Sequence, residues 1–139
     1  MSRAEWAASV GDRVGSPQAA AAWQKAGAKV DWDLIELVRA TRAIDVPVAI
    51  LTNGTSAIDS ELTDLGINHE FDYVFNSFDI GFAKPDHRVF QHVVQRLRLA
   101  SADVTYLDDT EGHVISAIEL GIDAHHYEGI HTLRALLDL

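Results

Sequence analysis

Three short clusters in the sequence carry residue types that handle anions and cations. Leu51-Thr52-Asn53-Gly54 closes an apolar run with a hydroxyl, an amide and a glycine just ahead of a helical stretch. A turn of this kind presents backbone N–H groups near a helix N-terminus, which suits a phosphate. The same residues are also ordinary turn chemistry wherever a strand stops. Ala83-Lys84-Pro85-Asp86 opens a second helical stretch, with Pro85 suited to its first position and Asp86 to the positive end of its dipole. Lys84 stands against that dipole, so either an anion holds it there or it is a solvated surface lysine. Tyr106-Leu107-Asp108-Asp109-Thr110 brings two adjacent carboxylates to the mouth of an apolar strand. They repel each other unless a hard cation such as Mg²⁺, or a lysine, neutralises them. The alternative is that Asp109 or Thr110 caps the helix that follows.

These clusters need elements that hold them in place. Val46-Pro47-Val48-Ala49-Ile50-Leu51 has the short apolar form of a buried parallel strand, and a helix follows to about Leu65-Gly66. Phe71 to Phe75 is a second strand, and Pro85 to Leu99 an amphipathic helix with Val89, Phe90, Val93, Val94 and Leu97 on its apolar side. Val104 to Leu107 is a third strand, Glu111 to Leu120 a helix, Ala124 to Tyr127 a strand and Ile130 to Leu137 a last helix. Before residue 46 the pattern is helical: Ala4 to Arg13, Gln18 to Lys25 with its run of alanines, and a helix capped by Asp31 or Asp33 that carries Leu34, Ile35, Val38 and Ile44. Strands alternating with helices predict an α/β fold, a Rossmann-like parallel sheet covered on both faces. Ligands of such sheets bind at the carboxyl ends of the strands, where Thr52-Asn53-Gly54 and Asp108-Asp109 fall.

Composition narrows the function classes. The 139 residues include 11 basic and 21 acidic side chains, for a net charge of −10, which disfavours nucleic acid and anionic membrane surfaces as partners. A small anionic substrate therefore needs a local positive site. No run approaches the roughly 20 apolar residues of a membrane span, and Met1 to Trp6 lacks the basic and apolar blocks of a secretory signal. With no cysteine there is no disulfide and no thiolate chemistry. A cytoplasmic location is the expectation.

Taken together, Thr52-Asn53-Gly54, then Lys84-Pro85-Asp86, then Asp108-Asp109 resemble the haloacid dehalogenase (HAD) superfamily in order and spacing. Phe71-Asp72-Tyr73-Val74-Phe75-Asn76-Ser77, Gly81-Phe82-Ala83-Lys84-Pro85-Asp86 with Phe90, and Asp108-Asp109 followed by Val114, Ala117, Leu120 and Gly121 are similar to its phosphatase-like branch. The resemblance covers residues 31–139. It implies Mg²⁺-dependent phosphoryl hydrolysis of a small phosphorylated metabolite, in which an aspartate attacks phosphorus. Thr52 would then bond a phosphoryl oxygen, with Asn53 and Gly54 at the substrate. Lys84 would balance the charge, and Asp108 and Asp109 would hold Mg²⁺, with Asp108 the closer ligand. His113 stands where the family often carries Asn, which would change the bonding around the acidic pair.

One family element has no match. The nucleophile segment reads as an apolar strand followed by Asp-x-Asp-x-Thr or Val, and the sole Asp-x-Asp in the sequence is Asp31-Trp32-Asp33. A short polar stretch precedes it and a helix follows it directly, so helix capping is the better reading. The expectation is that residues 1–30 are a helical cap remnant, residues 31–139 the core, and the chain alone inactive, with metal binding weak or absent. It would be either an incomplete hydrolase or a non-catalytic remnant that binds a phosphorylated ligand or a partner protein. The missing strand would leave those ending at Leu51 and Leu107 to pair directly, or to take an edge from a second copy or a complementing chain. A receiver-like signalling domain sets its acidic pair first and its lysine last, the reverse of the order here. His125, His126 and His131 show no helical i, i+4 pairing and read as structural or solvated.

Overall fold

The computed structural model describes residues 30–137. The helices expected at 4–13 and 18–25, and with them the cap remnant, lie outside these residues. Helix α1 (Trp32–Ala43) starts on Asp31, whose carboxylate accepts the Leu34 N–H at 3.1 Å. The Asp31-x-Asp33 segment is thus a helix start, as its sequence context indicates. Leu34, Ile35, Leu37, Val38 and Thr41 form the buried face. Ile44, expected on that face, follows the last helical residue, leaves the helical spacing and is 52% exposed.

The remaining elements alternate. They are β1 (Ala49–Thr52), α2 (Ile58–Asp64), β2 (Tyr73–Asn76), a one-turn α3 (Ser77–Ile80), α4 (His87–Leu97), a 3₁₀ turn (Ser101–Asp103), β3 (Thr105–Asp108), α5 (Glu111–Glu119), β4 (Asp123–His126) and α6 (Ile130–Leu137). β1 and β2 pair in parallel with Ala49 opposite Tyr73 and Thr52 opposite Asn76. β3 and β4 pair in parallel with Thr105 opposite Asp123 and Asp108 opposite His126. Among the described residues no ladder joins β1 to β3, so the direct pairing of those two strands is not formed. Their carboxyl ends are linked by a side chain instead, that of Lys84.

Strand alternation sorts the core into two clusters. Ile50 of β1 and Leu107 of β3 lie with Leu34, Ile35 and Val38 of α1, Ile58 and Leu62 of α2, and Leu133 of α6. Ala49 and Leu51 of β1 and Tyr106 of β3 lie with Phe75 of β2, Val89, Phe90 and Val93 of α4, and Ala117 of α5. Each cluster draws on both strand pairs, so the strands form one layer with helices on either side. This is the expected α/β, Rossmann-like arrangement.

Two polar devices set the strand positions. Asp72 accepts the Val48 N–H at 2.8 Å and pairs with Arg42, which also donates to the carbonyls of His69 and Glu70. Beside it the buried Glu70 carboxylate takes a forked bond from Arg39, which holds its pKa below the usual range. At α4, Asp86 rather than Pro85 takes the cap position: its carboxylate accepts the Arg88 N–H at 2.9 Å and displaces Pro85 from the helix.

The side chain of Arg88 closes on the same carboxylate and, with that N–H, lowers the Asp86 pKa to about 2. A depressed carboxylate contributes stability above its unfolded pKa of about 3.9 and loses it as pH falls towards the folded value. Asp86→Asn should therefore flatten the fall in stability between about pH 4 and pH 2, read as urea midpoints across that window. A larger effect is expected from Phe90→Ala in the second cluster. Phe90 is 1% exposed, and its truncation should cost about 3–5 kcal/mol in urea unfolding.

Candidate functional site

The carboxyl ends of β1 and β3 meet at Lys84, which the loop between α3 and α4 delivers. That loop is pinned by Asn53: its side-chain N–H donates to the Lys84 carbonyl at 3.0 Å, and its oxygen accepts the Lys84 N–H at 2.8 Å. Both ends of the Asn53 amide are thus engaged with the backbone of the residue it positions. Gly54 is needed for a different reason. A Cβ there would stand 2.7 Å from the Asn76 side-chain oxygen, so only glycine allows the approach. Asn76 in turn donates to the Thr55 carbonyl at 2.7 Å and accepts the Phe78 N–H at 3.2 Å, which starts α3. The Thr52-Asn53-Gly54 turn does not run straight into a helix. α2 begins at Ile58, after Thr55, Ser56 and Ala57.

Lys84 is no surface lysine. Its side chain is fully buried, and its ammonium donates to the Leu51 carbonyl at 3.0 Å and to Asp108 Oδ2 at 2.9 Å. Asp108 Oδ2 also accepts from the Tyr106 hydroxyl and lies 3.1 Å from His113 Nδ1, while Oδ1 accepts the Thr110 N–H at 2.7 Å. Thr110 stands at the cap of α5 without a side-chain cap bond, so Asp108, not Asp109 or Thr110, serves the helix start. Asp109 is exposed. Its carbonyl lies 3.0 Å from His126 Nε2, a contact that, with Glu128 nearby, raises the His126 pKa. His125 contacts Asp123 at 2.8 Å.

Of the residues singled out in the sequence, the fold gathers Thr52, Asn53, Lys84 and Asp108 at one place. Thr52 is buried there at the last position of β1, opposite Asn76. Gly54 lines the same turn. The acidic pair is divided differently from expectation: Asp108 is the counter-ion of Lys84, and Asp109 is the carboxylate open to solvent. Tyr106 and Asn76 were not singled out for the site. Tyr106 had a signal, since residues two apart on a strand share a face and Tyr106 precedes Asp108 by two.

Magnesium demands several oxygen ligands at short range. Asp108 gives its oxygens to an ammonium, a phenol, a backbone amide and an imidazole, leaving Asp109 as the one exposed carboxylate of the pair. Among the described residues no group of three or more His, Asp or Glu side chains is placed to hold a metal. Because Mg²⁺ keeps several waters and is held by one or two carboxylates, Asp109 is the member of the pair that would meet it, with Asp108 already committed to its other donors.

A family model described as haloacid dehalogenase-like hydrolase matches residues 7–121. The chain belongs to this family. Mouse haloacid dehalogenase-like hydrolase domain-containing protein 3 is 28% identical over 83 residues, 57% of this chain and 33% of that protein. The HAD chain thus spans a third or less of the curated relatives it matches. Among solved structures, an uncharacterised protein from Corynebacterium glutamicum superposes with a TM-score of 0.71 at 22% identity, covering 97% of this chain and 96% of that one. A HAD phosphatase from Thermococcus onnurineus gives 0.70 at 22% identity, covering 78% and 58%. The putative HAD-hydrolase YfnB from Bacillus subtilis, bound to magnesium, gives 0.65 at 22% identity, covering 78% and 53%. At these identities the likeness is one of fold.

The buried pair sets the first expectation for the site. Removing one partner of a desolvated pair strands the other charge, so Lys84→Met should cost about 3–5 kcal/mol, whereas Lys84→Met with Asp108→Leu should recover only part of the loss, because the Tyr106 hydroxyl, the Thr110 N–H and His113 then lose their acceptor. Urea unfolding of the two single variants and the double variant reads the coupling directly.

Proposed function

We propose that this HAD chain carries the anion-holding side of a phosphoryl-hydrolase site and, acting alone, binds a small phosphorylated metabolite without hydrolysing it. The observation that carries this reading is the buried ammonium of Lys84 at the meeting point of two strand ends, held by Leu51 and Asp108. In a chain of net charge −10, a fixed cation at the carboxyl ends of parallel strands is the local positive site an anionic substrate requires. Thr52 at the end of β1 and the turn held by Asn53 and Gly54 form the wall beside it.

Hydrolysis in this family starts with an aspartate attacking phosphorus. The sole Asp-x-Asp of this sequence is spent on capping α1 through Asp31. No covalent step can therefore be assigned to the described residues, and none is routed through a metal. Mg²⁺ and a nucleophile would come with a complementing segment or chain. The residues here would orient the phosphoryl oxygens and offset their charge. Among the described residues no helix is long and apolar enough to cross a membrane, and we take the setting to be cytoplasmic.

The test is an assay of the 139-residue chain with p-nitrophenyl phosphate and with acetyl phosphate, each with Mg²⁺ in excess. Release of product at the buffer rate is the expected result. Turnover that is abolished by Lys84→Met would show a complete active site and overturn the reading.

A further inference from the structure

One side chain grips the loop on both sides of Lys84. Arg88, in the first turn of α4, closes on the Asp86 carboxylate with Nε at 3.1 Å and Nη2 at 2.7 Å. Its guanidinium also lies over the Phe82 ring, 4.0 Å from the centroid. Phe82 precedes Lys84 by two positions and Asp86 follows it by two. Arg88 therefore spans the loop, while Asn53 holds the Lys84 backbone from the β1 side. The two ends of the span differ. The Asp86 end is fixed, because its carboxylate accepts the Arg88 N–H as the cap of α4 and the adjoining Pro85 carbonyl accepts the Ser116 hydroxyl of α5. The Phe82 end follows Gly81, which closes α3 at a φ of 88° with open space where a Cβ would stand. Phe82 itself is 37% exposed.

The placement of Arg88 works against it in two ways. A cation in the first turn of a helix opposes the dipole, and fixing a long side chain that is 61% exposed loses rotamer freedom. Two contacts offset this, a forked charge-assisted bond and a cation over an aromatic face. Only the second reaches the end of the loop that Gly81 leaves free to turn. We propose that Arg88 is a positioning residue for Lys84, a strap that ties the Phe82 end of the loop to α4 and so keeps the Lys84 ammonium between the two strand ends. When the strap releases, the loop swings on Gly81 and Lys84 leaves Leu51 and Asp108. The tie between the β1 and β3 ends is then lost, while each strand pair keeps its own ladder. An exposed contact thus sets how often the strand ends part, with no need for the layer to unfold. The inference concerns the loop and does not depend on what the strand ends bind.

Amide hydrogen exchange, followed by NMR on the full chain, reads the strap. The Lys84 N–H, bonded to Asn53, reports the loop. The Asp72 N–H on Val48, the Asp123 N–H on Val104 and the Tyr127 N–H on Asp108 report the two strand pairs. Arg88→Leu should speed exchange at Lys84 about three- to tenfold, the scale of an exposed cation–π contact joined to a surface ion pair. The three strand amides should stay within about twofold of wild type. Arg88→Lys, which keeps a cation over the ring but loses the fork, should fall between wild type and Arg88→Leu. Phe82→Leu should act in the same direction, and adding it to Arg88→Leu should change little further, since both remove one contact. A residue serving only overall stability would raise exchange at all four amides together, in step with a lower urea midpoint. That pattern, or unchanged exchange at Lys84 in the folded single variants, would overturn the proposal. Phe82→Leu decides alone should Arg88→Leu fail to fold.

Discussion

A single buried ammonium organises this molecule. Lys84 has its charge out of water, and such a charge is tolerable only where its donors are met and an anion is close. The Leu51 carbonyl and the Asp108 carboxylate meet both demands, and they sit at the ends of two strands that share no ladder with each other among the described residues. The contact therefore has a structural role as well as an electrostatic one. It sets the distance between the two strand ends, and the surrounding polar contacts hold its members. Asn53 fixes the Lys84 backbone, Asn76 and Gly54 shape the turn carrying Asn53, and Tyr106, His113 and Thr110 fix the carboxylate.

Much of this could be read in the sequence. The strand ending at Thr52, the helix containing Phe90 and the strand ending at Asp108 follow from apolar runs and periodicity, and the two-faced layer follows from their alternation. Their ends shifted by a residue or two where local hydrogen bonds decided the boundary, as when Asp86 became the α4 cap in place of Pro85. The short α3 was missed because four residues carry no periodic signal; only the Asn76 side chain and Gly81, at a φ of 88°, mark its limits. Ile44 was assigned to the buried face because spacing alone does not show that the helix stops at Ala43.

The site was legible in its membership more than in its wiring. Residue type and order brought out Thr52, Asn53, Lys84 and Asp108, and the fold gathers them. Sequence could not show that both ends of the Asn53 amide would be used on the Lys84 backbone. Nor could it divide the acidic pair, because adjacent strand-end carboxylates point in different directions only once the chain direction is fixed. The burial of Lys84 stays open in the sequence for the same reason. A lysine read by itself belongs in water, and only the arrival of two strand ends around it makes an interior position tolerable.

The position of Lys84 also makes it a chemical reporter. Beyond Lys29 it is the only lysine in the sequence, and its side chain has no exposed surface. An amine-acylating reagent can therefore modify the chain between residue 30 and the C-terminus only when the strand ends part. The modification of this one nitrogen, followed by mass spectrometry, marks each opening of the layer without any label being introduced.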